Sequence, residues 1–240
     1  MGFPAVGNFL SVATHPDMRG STNVMIDFIG SGTSDYQPDF PATIDAHAEC
    51  IEADLDHIGC GPCPVVGYSF GGSVAAALAD MRPDLVSRMI IAEGNLTSGG
   101  GMASRHFASF TPEAFAATEL DRILTKLREG AAQGNDFEAF IVAAYAHVDP
   151  IALHAMARAL VNIPDGFMER FLELKIPRTY IYGANNHPDK TNIVSPDMPD
   201  PDRLAASGVH VATVPDVGHE MMLGNLDGFV EVLLAALIAP

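Results

Sequence analysis

The chain has 240 residues, 48% of them hydrophobic and 18% charged, which is enough apolar side chain for one sizeable core with an insertion. Its formal net charge of −17 argues against nucleic acid and anionic membranes as partners. No stretch approaches the roughly 18 unbroken apolar residues that a membrane helix needs, and no basic segment followed by an apolar one marks a secretory signal.

Met1-Gly2 opens like a myristoylation site, but Val6 stands where Ser or Thr is wanted. Three cysteines, Cys50, Cys60 and Cys63, form an odd set in a chain without a secretion signal. They predict a reducing, cytoplasmic setting.

In chain order, the first predicted element is a short helix over Asn8–Ala13. Val24–Phe28 is an apolar run of strand length, followed by a loop over Gly30–Asp35. Apolar residues at helical spacing (Ile44, Ala48, Ile51, Leu55, Ile58) predict a helix over Thr43–Ile58, capped by Thr43 or Asp45. Cys60-Gly61-Pro62-Cys63 spells a redox tetrapeptide. Because it follows a helix and precedes a strand, it reads as the turn between them, and no second cysteine pair completes a metal site.

A strand then runs to Ser69, a helix over Ser73–Met81 follows, and Pro83-Asp84 breaks it. The next buried strand, Val86–Ala92, ends at Glu93-Gly94-Asn95. From Gly99 to about Phe171 only helical stretches are predicted, around Pro112–Arg128, Phe137–His147, Ile151–Val161 and Gly166–Leu174. A strand at Arg178–Tyr182, a helix at Pro201–Ala206, a strand at Val209–Val214 and a final helix to about Ile238 complete the chain. Continuous apolar strands with helices between them predict an α/β fold: a mostly parallel sheet with helices on both faces and an inserted all-helical cap. The expected division is 1–96 and 175–240 for the core and 97–174 for the cap.

Within this order, Gly67-Tyr68-Ser69-Phe70-Gly71 reads as a nucleophile elbow, a sharp strand-to-helix turn that exposes a strained serine. Gly67 and Gly71 are expected where side chains would collide, and the Phe70 N–H is expected to face an oxyanion. The alternative is a glycine-rich turn whose serine merely caps the helix. A serine nucleophile needs a base. Of nine histidines, His219 lies in a loop after a buried strand, at the end of the sheet where Ser69 emerges. The acid that orients it is Glu93, closing an apolar strand, or else Asp189, the first carboxylate after the following strand. An ion pair of Glu93 with Arg105 or Arg122 is the other reading of that carboxylate. Tyr68, His106 and Phe107 are candidate pocket residues, and no metal or cofactor is expected.

Taken together these residues resemble the α/β-hydrolase superfamily over nearly the whole chain. Ser69, Glu93, His219 keeps that family's order of nucleophile, acid and histidine. Asp27 to Asp35 is similar to its D-x-x-G-x-G-x-S-D loop. In most members the acid stands at about the place of Asn186; a minority carry it one strand earlier, as Glu93 would. The segment Ala92–Leu96, with Gly99-Gly100-Gly101 and Ser104-Arg105, is similar to a group of small bacterial hydrolases. Members begin with strands leading into His-Gly. Here Met1 takes the histidine's place and those strands have no counterpart, which leaves Phe3 N–H as the second oxyanion donor and an open sheet edge for a partner chain or a homodimer to cover.

The resemblance implies hydrolysis of a small or medium apolar ester or lactone through an acyl-enzyme. The same triad also serves C–C hydrolysis and cofactor-free perhydrolysis, and a non-catalytic ligand-binding homologue is the reading from another class. A dehalogenase would need a carboxylate where Ser69 stands.

Overall fold

The computed structural model describes residues 3–189 and 198–239. Met1, assigned above to the histidine position, lies outside the described residues. The elements run α1 (Ala5–Ala13), a 3₁₀ turn (Pro16–Met18), α2 (Ile44–Ile58), β1 (Cys63–Tyr68), α3 (Phe70–Met81) and β2 (Val86–Ala92). A helical insertion follows: α4 (Met102–Ala108), α5 (Pro112–Ala114), a π turn (Phe115–Glu119), α6 (Leu120–Ala132), α7 (Asp136–Tyr145), α8 (Pro150–Val161) and α9 (Phe167–Glu173). The chain closes with β3 (Arg178–Gly183), a 3₁₀ turn (Ala184–Asn186), α10 (Pro201–Ala206), β4 (His210–Val214), α11 (Met221–Gly224) and α12 (Leu226–Ile238). No helix among the described residues is long and apolar enough to cross a membrane.

The four strands form one parallel sheet in the order β1-β2-β3-β4, with Gly67 beside Ile91, Ile91 beside Tyr180 and Tyr180 beside Val211. Because the strands are parallel, the segments after all four emerge at the same edge, which gathers Ser69, Glu93, Asn186 and His219 at one end of the sheet. Strand side chains alternate between faces. Met89, Ile91, Tyr180 and Tyr182 enter the core shared with α2, α3 and α10, whereas Ile90, Ala92 and Ile181 enter the core shared with α1, α11 and α12. The insertion has an apolar cluster of its own around Phe107, Phe115, Tyr145 and Leu153, and Phe3 packs against it.

Local chemistry accounts for the ends of α2. Thr43 Oγ1 accepts from the Ala46 N–H at 3.1 Å, satisfying a first-turn donor, and Gly59 closes the helix at φ 64°, where a side chain would be strained. Thr43, not Asp45, is therefore the cap.

Two expectations are corrected. The first helix begins at Ala5, three residues before Asn8, because Asp27 Oδ1 takes the otherwise unpaired Ala5 N–H at 2.6 Å. Val24–Phe28 is not a strand. A strand exists only as a hydrogen-bonded ladder, and none of the described strands lies alongside this run. It is held instead by its end: Asp27 Oδ2 accepts from the Thr33 N–H and Oγ1, and Ser34 Oγ donates to the Asp27 carbonyl.

His47, on α2, is 1% exposed among the rings of Phe28, Phe40 and Phe70, and among the described residues neither ring nitrogen has a hydrogen-bond partner. Burial disfavours the imidazolium and lowers the pKa from 6.5 to about 4. Between those values the unfolded chain binds a proton that the folded chain refuses, so stability falls as pH drops through this window, at up to about 1.4 kcal/mol per pH unit. Urea unfolding at pH 7 and pH 5 is expected to show this loss, and His47→Leu is expected to flatten it. An unchanged slope in the variant contradicts the assignment.

Candidate active site

Ser69 adopts φ 53°, ψ −122°, a strained conformation for a side-chain-bearing residue, at the junction of β1 and α3. Glycine permits the turn. A Cβ on Gly67 would stand 2.3 Å from the Gly71 carbonyl oxygen, so only glycine fits there. Gly71 corrects the sequence reading, since its Cβ would meet nothing nearer than Phe28 Cζ at 3.7 Å. The close approach belongs to Gly72, whose Cβ would lie 2.8 Å from Gly94 Cα as α3 crosses the segment after β2. Gly72→Ala is therefore expected to cost about 1–3 kcal/mol in urea unfolding. Gly71→Ala is expected to be neutral or to stabilise α3 by about 0.5–1 kcal/mol. Equal effects at the two positions would refute this account.

His219 follows β4 and precedes α11. Tyr68, immediately before Ser69, holds it in place: the phenol donates to the His219 carbonyl oxygen at 2.8 Å, and the two rings lie 4.8 Å apart. Burial, with Glu220 and Glu93 adding, pushes the Tyr68 hydroxyl well above its ordinary pKa, so it remains a donor. On the other side of the ring, His219 Nδ1 lies 2.7 Å from Glu93 Oε2.

Glu93 has a 1% exposed side chain and sits at φ 43°, just past the end of β2. Three groups meet its carboxylate: the Gly183 N–H donates to Oε1 at 2.7 Å, and Asn186 Nδ2 and His219 Nδ1 lie 3.0 and 2.7 Å from Oε2. A buried carboxylate so surrounded is satisfied as an anion, and its acceptor oxygen selects the Nδ1–H tautomer of His219. That tautomer leaves Nε2 with a free lone pair. Among the described residues no hydrogen bond joins Ser69 Oγ to this ring.

The other sequence-predicted residues are placed as follows. Asp189 turns back onto His187, 3.6 Å from its Nδ1, and not onto His219. Arg105 donates to the Gly100 carbonyl and Arg122 to Glu119, so neither pairs with Glu93. His106 also bonds Glu119, at 2.7 Å; Arg122 and His106 together hold that carboxyl down to about 2. Phe107 is buried inside the helical insertion. Neither His106 nor Phe107 lines the cavity that reaches Ser69, whereas Tyr68, Gly67, Gly71 and Phe3 do. Phe70 N–H starts α3, and Phe3 packs on Tyr145 at 4.9 Å between ring centroids.

Burial and the neighbouring Cys60 push the Cys63 thiol up to about 11, so it stays protonated at neutral pH.

Sequence reasoning passed over three contributors. A carboxylate is the residue type expected after β3, so the sequence gives no sign of Asn186, whose carboxamide donates to Glu93 instead. Asp27 reads in the sequence as part of the apolar run Val24–Phe28 and the start of the loop after it, yet it fixes Ala5 and so the approach of Phe3. Gly183 stands just past the predicted strand Arg178–Tyr182 with no signal of its own. A Cβ on it would lie 2.1 Å from the Gly218 carbonyl oxygen, so glycine lets the His219 loop close on β3.

A family model described as alpha/beta hydrolase fold matches residues 2–225. The chain is similar to lipase LipV of Mycobacterium tuberculosis, at 46% identity over 65 residues (27% of this chain, 24% of that protein). It is also similar to the sn-1-specific diacylglycerol lipase ABHD11 of Mus musculus, at 31% over 109 residues (45% and 34%). The matches thus span about a quarter to a third of the length of these relatives. Among solved structures, the enol-lactonase from Burkholderia xenovorans LB400 superposes with a TM-score of 0.75 at 17% identity, covering 99% of this chain and 88% of that one. That likeness is one of fold.

Proposed function

Since this chain belongs to the α/β-hydrolase family, we propose that it is a hydrolase that cleaves a small or medium apolar carboxylic ester or lactone through an acyl-enzyme on Ser69. The observation that carries this reading is the 2.7 Å contact between His219 Nδ1 and a buried, fully hydrogen-bonded Glu93, beside a strained serine.

In the proposed mechanism Ser69 Oγ attacks the carbonyl carbon and passes its proton to His219 Nε2. Glu93 stabilises the imidazolium without taking the proton. The carbonyl oxygen becomes an oxyanion held by the N–H groups of Phe70 and Phe3. The C–O bond to the alcohol breaks as Nε2 returns the proton to the leaving oxygen. Water then gives a proton to Nε2 and attacks the acyl-serine, and collapse of the second oxyanion releases the acid and restores Ser69. The apolar lining near Ser69, including Phe28 and Ile26, supports an apolar acyl group over a charged one.

The test is stoichiometric labelling with a fluorophosphonate, followed by a series of p-nitrophenyl esters of increasing chain length. One label per chain and saturable ester turnover support the reading. A folded protein that neither labels nor turns over esters overturns it.

A further inference from the structure

The second N–H of the proposed oxyanion hole belongs to Phe3, and two tethers of that segment lead to one corner of the helical insertion, where α7 passes into α8. The first tether is the Phe3 ring. It packs edge-on against two α7 residues, Tyr145 at 4.9 Å and Phe140 at 5.9 Å between centroids. It joins the apolar cluster of the insertion, whose buried members include Tyr145 and Val148.

The second tether starts two residues on. The Ala5 N–H donates to Asp27 Oδ1 at 2.6 Å. The other oxygen of that carboxylate accepts from the Thr33 N–H at 2.9 Å and from the Thr33 hydroxyl at 3.1 Å. The loop that carries Thr33 is itself stitched to the α7–α8 corner. The Gly32 N–H donates to the His147 carbonyl at 2.7 Å, the Asp149 N–H donates to the Gly30 carbonyl at 2.8 Å, and Ser31 bridges Val148 in antiparallel sense. Two glycines allow this approach: a Cβ on Gly30 would collide with Ala152 of α8, and one on Gly32 with the Asp27 carboxylate.

These contacts close a ring. It runs from Tyr145 through Phe3 and Ala5 to Asp27, and from Asp27 through the Gly30–Thr33 loop back to His147–Asp149. A donor in an oxyanion hole must be held within about 0.5 Å of its working place. One tether would leave a short segment free to swing about it. Two tethers, joined by Pro4 at φ −50°, fix its direction. Ser69, Glu93 and His219 stand at the ends of strands, so nucleophile, acid and base do not belong to this ring.

We propose that the α7–α8 corner of the insertion sets the place of the Phe3 N–H, with Tyr145 and Phe140 as positioning residues that act through the Phe3 ring. The proposal rests on the ester reading above and adds to it a role for the insertion, which steadies the oxyanion and so acts on the transition state more than on substrate binding.

The test is turnover of a p-nitrophenyl ester by Tyr145→Leu, Tyr145→Phe and Phe140→Leu, each checked for folding by urea unfolding. Losing one oxyanion donor outright costs about 10²–10³ in kcat, so a misplaced one is expected to cost about tenfold or more, with KM within about twofold. Tyr145→Phe keeps the ring and should stay within about twofold of wild type in kcat. The half-buried Phe140 gives a second reading should Tyr145→Leu fold poorly. A double-mutant cycle separates positioning from general loosening. In a Phe3→Ala background, which already lacks the ring, Tyr145→Leu is expected to lower kcat by less than about twofold further. An active wild type whose two Leu variants keep full kcat overturns the proposal alone, as do losses that multiply in the cycle. A folded wild type without ester turnover overturns the reading beneath it, and the proposal with it.

Discussion

Ser69→Ala is expected to lower kcat toward an activated ester by about 10⁴-fold or more, the scale seen when a serine nucleophile is removed while its base and oxyanion donors stay. Fluorophosphonate labelling should vanish with it. The geometry around the residue makes the loss specific. Ser69 Oγ has no hydrogen bond among the described residues that the fold needs, and the turn is held by Gly67 and Gly72, not by the hydroxyl. Urea unfolding of Ser69→Ala should therefore match wild type within about 0.5 kcal/mol. Ser69→Gly, equally inactive, should be more stable, because glycine relieves a strain on the order of 1 kcal/mol at φ 53°. Turnover retained at more than a tenth of wild type in Ser69→Ala would sink the acyl-enzyme reading whatever the stability.

The second large effect is at Glu93. Glu93→Gln is expected to cost about 10⁴ in kcat, since a carboxamide facing Nδ1 favours the wrong imidazole tautomer and cannot stabilise the imidazolium. It should cost stability too. The carboxylate meets Gly183, Asn186 and His219, and a carboxamide has one acceptor oxygen for them. One buried donor is then left facing an NH₂ group, at about 1–3 kcal/mol. Asp189→Asn is the control. Its carboxylate lies against His187 near the surface, so activity should stay within about twofold of wild type. Were Asp189→Asn the inactive variant and Glu93→Gln the active one, the triad would have to be redrawn through the loop after β3.

How far these sites could be read in advance follows from the range of the forces involved. The elbow was legible because its demands are local: an apolar run, a glycine two residues before the serine and a helical pattern directly after it all lie within a dozen residues. Glu93 was legible for a similar reason, as a charge that ends the buried run Met89–Ala92 must find a partner. Asn186 was not, because nothing around it in the sequence reveals a carboxylate arriving from another strand, and its role exists only through the β2–β3 register. The same holds for Gly72 and Gly183, whose need for glycine comes from Gly94 and Gly218, segments that meet them only in the folded chain. Gly71, by contrast, had the right place in the motif without the close contact.

Composition and periodicity by themselves determined the parallel α/β layering, the helical stretch between β2 and β3, and the strand-to-helix turn at Ser69. All of these rest on side-chain patterns and turn chemistry within short windows. Only the tertiary structure decided that Val24–Phe28 forms no strand, that Asp189 faces away from His219, and that Asn186 and Gly183 both donate to Glu93. Each of these depends on whether a second segment arrives to complete a hydrogen bond, and a sequence window records a segment's readiness to pair but not the presence of its partner.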